Sequence, residues 1–104
     1  FDLETVKRLE EMVAAVDRAY ESMIENLNAA YKCELENIAN AYNAEDRINN
    51  LRNYLRDAEI EALESDRKNY QTSVYYMDIV SELEKMGDFI INISQNLEKV
   101  FVKR

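Results

Sequence analysis

The chain contains no proline, no histidine, no tryptophan, one glycine and one cysteine. Sheet proteins need turn residues between many short strands, so the lack of proline and the lone Gly87 argue against one. Without histidine, a serine or cysteine nucleophile has no standard base. The same absence removes the Glu-x-x-His pairs of di-iron helical-bundle enzymes. The chain is therefore read as a non-enzyme. Cys33 stands alone, which rules out an intrachain disulfide and fits a reduced, cytoplasmic setting. It reads as a small apolar residue inside a helix rather than as a reactive thiol. No apolar run approaches the ~18 residues of a spanning helix, and there is no signal peptide. The first residue is Phe1 rather than methionine, which suggests a piece of a longer protein.

What is present favours helix: alanine, leucine, glutamate, lysine and arginine are plentiful. With 104 residues the chain is one domain, of a size that buries roughly 60–70% of its unfolded surface. Thirteen basic against 21 acidic residues give a formal charge of −8. An acidic surface repels nucleic acid and anionic lipid, so neither is expected as a partner.

Three segments carry helical periodicity: residues 2–41, 44–64 and 70–102. The first begins with heptad spacing at Val6, Leu9, Val13, Val16 and Tyr20. It continues as Tyr20, Ile24, Leu27, Tyr31, Leu35, Ile38 and Tyr42, an eleven-residue repeat of nearly straight helix. Asn43 is the expected cap of helix two, with Glu45 and Asp46 in its first turn. Helix two places Ile48, Leu51, Leu55, Ala58 and Ala62 on one face. Residues 65–69 form the second turn. Helix three has the cleanest stripe, with Tyr76, Ile79, Leu83, Met86, Ile90, Ile93, Leu97 and Val100 spaced alternately by three and four.

Short turns make neighbours antiparallel. The expected fold is all-α, an antiparallel up-down-up three-helix bundle with long first and third helices. Helix two would be about 32 Å long and helix one about 60 Å. Residues 1–17 would then overhang one end and residues 90–104 the other, each with an apolar stripe uncovered. Association as a homodimer, or docking on the rest of the parent chain, would cover them. A bend back near Tyr20 is the alternative.

Glu84, Asp88 and Asn92 lie one turn apart on one face of helix three. Residues equidistant from the second turn share a height. That rule puts Glu45 opposite Asp88 and Asn49 opposite Glu84. Glu36 and Asn40 would join them from helix one. Oxygens from several helices at one height suit a hard cation. In a chain that is 33% charged, the same spacing also describes a solvated face. Gly87 lies between the two acids, where a helix interior disfavours glycine by about 1 kcal/mol. Close approach of another helix or a ligand would explain it.

The stretch Leu83-Glu-Lys-Met-Gly-Asp-Phe-Ile-Ile-Asn-Ile93 resembles the helix signature of PhoU-type domains, Glu-x-x-x-Asp followed by Asn-Ile. The stretch Glu45-Asp-Arg-Ile-Asn-Asn-Leu-Arg52 resembles the companion motif. The pattern from Ile48 to Asn92, with Tyr75-Tyr-Met-Asp-Ile79, is similar to the cytoplasmic C-terminal domain of bacterial sodium/phosphate symporters. The resemblance covers residues 43–100; helix one matches it only in length and character. It implies a non-catalytic regulatory role in phosphate transport, at the cytoplasmic face of the cell membrane. The transmembrane transport domain of the parent chain would then be the partner, with no membrane insertion by these residues. It also implies a divalent or iron-type metal ion held by Glu45, position 49, Glu84 and Asp88, with Asn92 beside them. Asn49 departs from the usual acid, which removes a charge. Stand-alone members carry two repeats where this chain has one, and a homodimer would restore the second. The alternative function is a free-standing PhoU-type adaptor or coiled-coil scaffold without ligand, which the heptads support.

Overall fold

A computed structural model describes residues 1–65 and 69–102. They form three helices: α1 (Leu3–Tyr31), α2 (Ala39–Glu64) and α3 (Tyr70–Phe101). The fold is the expected all-α three-helix bundle, with extents of 54 × 21 × 16 Å. Phe1 packs edge-on against Tyr76 with ring centroids 5.9 Å apart. At the other end, Asn26 bonds to Ser94, so α1 and α3 run parallel. Ser73 bonds to Glu59, which sets α2 antiparallel to α3. The expected second turn includes residues 66–68, which lie outside the described residues, as do the last two of the expected 90–104 overhang.

The first break differs from expectation. Helix one ends at Tyr31, not at 41, and α2 starts at Ala39. The cause is a complete C-terminal cap. The Cys33 N–H donates to the Ala30 carbonyl at 3.0 Å, and the Glu34 N–H donates to the Ala29 carbonyl at 2.8 Å. This 6→1 and 5→2 pair requires a left-handed residue just past the helix, normally glycine. Cys33 fills that place, with φ 59°. It is exposed in a turn, not a small residue within a helix. Leu35 and Ile38 are buried beyond the turn, against Ala30 and Ala41. They keep the apolar period in phase while the backbone leaves the helix.

Asn43 lies inside α2, and Ile38 precedes the helix without a side-chain cap; instead the Asn37 Oδ1 accepts from the Ala39 N–H at 2.9 Å. Glu45 and Asp46 are consequently not in the first turn. The three helices are 29, 26 and 32 residues long, so their lengths nearly match. The long overhangs do not form: Thr5 and Met12 are buried near one end, and Ile91 and Ser94 near the other.

Helices α1 and α3 start with side-chain caps. Asp2 accepts from the Thr5 N–H at 2.8 Å. Asn69 accepts from the Gln71 and Thr72 N–H groups at 2.8 and 3.3 Å, each such cap being worth ~1 kcal/mol. The core runs along the bundle axis through Met12, Val16, Ile48, Leu55, Tyr76 and Val80. On α2 the buried line passes through Glu59, while Ala58 is half-buried. The Ser73 hydroxyl donates to Glu59 Oε1 at 2.6 Å, consistent with the rule that buried carboxylates need polar partners. The stripe of α3 splits in two. Tyr76 is buried and Leu83, Ile90 and Leu97 are half-buried, whereas Ile79, Met86, Ile93 and Val100 are exposed.

Candidate functional site

Gly87 decides where α2 and α3 come together. A Cβ built on it would lie 2.7 Å from Cδ1 of Ile48. The glycine is therefore explained by close approach of a neighbouring helix. Ile48 falls between Glu45 and Asn49, as Gly87 falls between Glu84 and Asp88. The contact thus brings both motifs to one height along the α2/α3 groove. Glu45, Asn49 and Glu84 are half-buried; Asp88 and Asn92 are exposed. Lys85 lines a shallow depression with Asp88, Phe89 and Asn92.

Helix one does not contribute as expected. Glu36 is exposed in the loop between α1 and α2, and Asn40 lies in the first turn of α2. Asn40 works elsewhere. Asn26 of α1, buried, donates through Nδ2 to Asn40 Oδ1 at 3.1 Å and to Ser94 Oγ of α3 at 3.0 Å. Asn40 Nδ2 in turn donates to Glu25 at 3.2 Å. This polar clamp ties all three helices together near the first loop.

Arg52 carries no role in the sequence reading, although it ends the companion motif. It lies seven residues after Glu45 and three after Asn49, so it shares their strip of α2. Its guanidinium Nη1 forms an ion pair and hydrogen bond with Glu84 Oε2 across the groove. The two side chains are 31% and 20% exposed, so the pair is shielded more than a surface bridge but less than a buried one. Its Nε and Nη2 also donate to Asn53 at 3.3 and 3.2 Å. The spacing that made Glu45 and Asn49 a pair was the signal that would have found Arg52.

These groups can be tested against the metal that the resemblance implies. A hard cation takes several oxygen ligands, with carboxylates balancing its charge. Among the described residues no three Asp, Glu, Cys or His side chains are grouped to hold one. One of the acids, Glu84, already has a cation in Arg52, and position 49 brings no charge. The residues present do not make a closed metal site within one chain. Among the described residues no helix is long and apolar enough to cross a membrane.

No curated protein and no solved structure matches the chain. The PhoU domain does, over residues 16–97. The match includes both motifs that Ile48 and Gly87 hold in register, and it extends beyond them into α1, so this three-helix bundle belongs to the PhoU domain family.

Proposed function

We propose that the chain is a regulatory domain of phosphate uptake, acting by contact with a transporter rather than by catalysis. The observation that carries this reading is the PhoU match over most of the chain, including the second half of α1. The finer assignment is the cytoplasmic C-terminal domain of a sodium-dependent phosphate transporter. It is supported by the similarity of the 48–92 stretch to those domains, including Tyr75-Tyr-Met-Asp-Ile79. The partner is then the membrane-spanning part of the same protein. The groove between α2 and α3 serves as a rigid, polar recognition surface, with the Arg52–Glu84 pair at its centre.

The test has two parts. The coding sequence upstream of Phe1 is read for membrane spans, and labelled phosphate uptake is followed in cells whose parent gene lacks residues 1–104. Upstream spans together with altered uptake support the symporter assignment. Altered uptake without upstream spans leaves a stand-alone adaptor. Unchanged uptake, with the transporter present in the membrane, overturns the phosphate reading. The second reading, a helical scaffold without ligand, is favoured by the heptad-spaced apolar residues left exposed on α1 and α3.

A further inference from the structure

The outer faces of α1 and α3 repeat the heptad pattern of the core. On α1, Val6, Val13, Tyr20, Ile24, Leu27 and Tyr31 are all exposed. With Leu3, Glu10 and Asp17 they form an unbroken ladder of alternating three- and four-residue steps. On α3, Tyr75, Ile79, Met86, Phe89, Ile93 and Val100 are exposed, and Glu82 and Asn96 complete the same ladder. Spacing of this kind keeps one stripe facing a partner helix along its whole length.

The two ladders belong to one face. On α1, the residues turned toward α2 are Ser22, Glu25 and Asn26, through Asn40. On α3, the residues turned toward α2 are Ser73, Glu84 and Gly87. At 100° per residue, each exposed ladder falls on the opposite side of its helix's buried line, bordering the α1/α3 groove. Because α1 and α3 run parallel, Tyr20, Ile24 and Tyr31 stand near the heights of Phe89, Ile93 and Val100. The α1/α2 groove is different, lined by Arg18, Asn40, Asn43, Ala44 and Arg47.

We propose that this face is where two copies of the chain pack together, as a two-helix layer on a two-helix layer. Size supports a second copy. The α1 ladder is about 42 Å long and the α3 ladder about 38 Å, at 1.5 Å per residue. Two helices about 10 Å apart make the face about 20 Å wide, or about 750 Å². A standard stable interface needs about 800 Å² from each partner. The few polar rungs, Glu10, Asp17, Glu82 and Asn96, restrict the allowed alignments, as single polar positions do in coiled coils. The proposal rests on the bundle alone. It does not need the transporter assignment, and the experiment below makes no use of phosphate.

The experiment is the mass of the 104-residue chain in solution by light scattering over a range of micromolar concentrations. Wild type is compared with Met86→Lys/Ile93→Lys on the face and Tyr54→Lys away from it, and circular dichroism follows helix content in each. The expected result is twice 12.2 kDa for wild type and Tyr54→Lys, and 12.2 kDa for the double variant with helix content unchanged. Should the double variant lose helix, Ile24→Lys on the α1 ladder replaces it with the same expectation. A wild type that stays monomeric overturns the proposal and leaves the face for another part of the parent chain. A dimer that survives every folded ladder variant also overturns it.

Discussion

Ile48 of α2 occupies the space that a side chain at position 87 of α3 would need, its Cδ1 lying 2.7 Å from where a Cβ would stand. Ile48 itself is 2% exposed and has little room to retreat. Gly87→Ala gains about 1 kcal/mol of helix propensity and loses a similar amount by displacing the Ile48 methyl. We expect its unfolding free energy to stay within about 1 kcal/mol of wild type. Gly87→Val adds bulk that a shifted methyl does not accommodate, and overpacking of this kind costs about 1–3 kcal/mol. Urea unfolding of both variants checks this, and a Gly87→Val protein as stable as wild type would remove the close-approach explanation.

Cys33 holds a left-handed conformation, with φ 59°, that suits glycine. The steric penalty for other residues there is about 1–2 kcal/mol, partly offset by the greater freedom of unfolded glycine. Cys33→Gly should raise stability by about 0.5–1 kcal/mol. Thermal unfolding of the variant reads the sign directly, and a fall in midpoint would contradict the cap geometry.

Asn26 spends both amide hydrogens inside the bundle, one on Asn40 and one on Ser94. Asn26→Ala takes the donor from the buried Ser94 hydroxyl, while the half-buried Asn40 Oδ1 keeps the Ala41 N–H at 2.8 Å; the loss costs about 1–3 kcal/mol. Removing Ser94 as well should cost less than the sum of the two single changes, because the bond is already gone. A double-mutant cycle on Asn26 and Ser94 supplies the number; strict additivity would mean that the bond does not form.

Tyr76 is 1% exposed, and its phenol is pushed up from 10.0 to about 12, by burial first and by Glu59 next. Its folded pKa lies above its unfolded value. The stabilisation is therefore fully present below pH about 10 and is lost as pH rises toward about 12, a change on the order of 2 kcal/mol. In Tyr76→Phe that alkaline loss should be smaller than in wild type. Denaturant midpoints measured for both proteins across this range decide it, and parallel curves would assign the loss to other groups.

Arg52 supplies the positive charge beside Glu84. We expect the purified wild-type chain to retain no metal stoichiometrically on elemental analysis. Arg52→Ala should cost about 1–2 kcal/mol, between a surface and a buried pair. A wild type that carries bound metal, lost on Glu84→Ala, would mean that ligands from beyond a single chain complete the site.

The sequence showed three helices, the start of α3 and the shared height of the two motifs, because the apolar spacing stops and resumes on either side of the polar stretch 65–69. It concealed the end of α1. The usual marker of a left-handed cap is glycine, and here the position is Cys33. Leu35, Ile38 and Tyr42 also continue the apolar rhythm through the loop, so periodicity had no break to show. The overhangs inferred from that over-long helix vanished with it. The stripe of α3 was legible as apolar but not as two stripes, since Tyr76 and Ile79 obey the same spacing whether they face inward or outward. The Arg52–Glu84 pair was not legible because spacing along one helix does not show which side chain reaches across the groove.

The clamp of Asn26, Asn40 and Ser94 sits at one end of the bundle, and the Ser73–Glu59 bond sits toward the other. Sliding α3 along its neighbours by one turn, about 5.4 Å, would break both sets at once and strand buried polar groups in the interior. Both sets of bonds therefore oppose piston motion of α3 within the bundle. Against its neighbours α3 is thus keyed at two heights, and a slide must release both together.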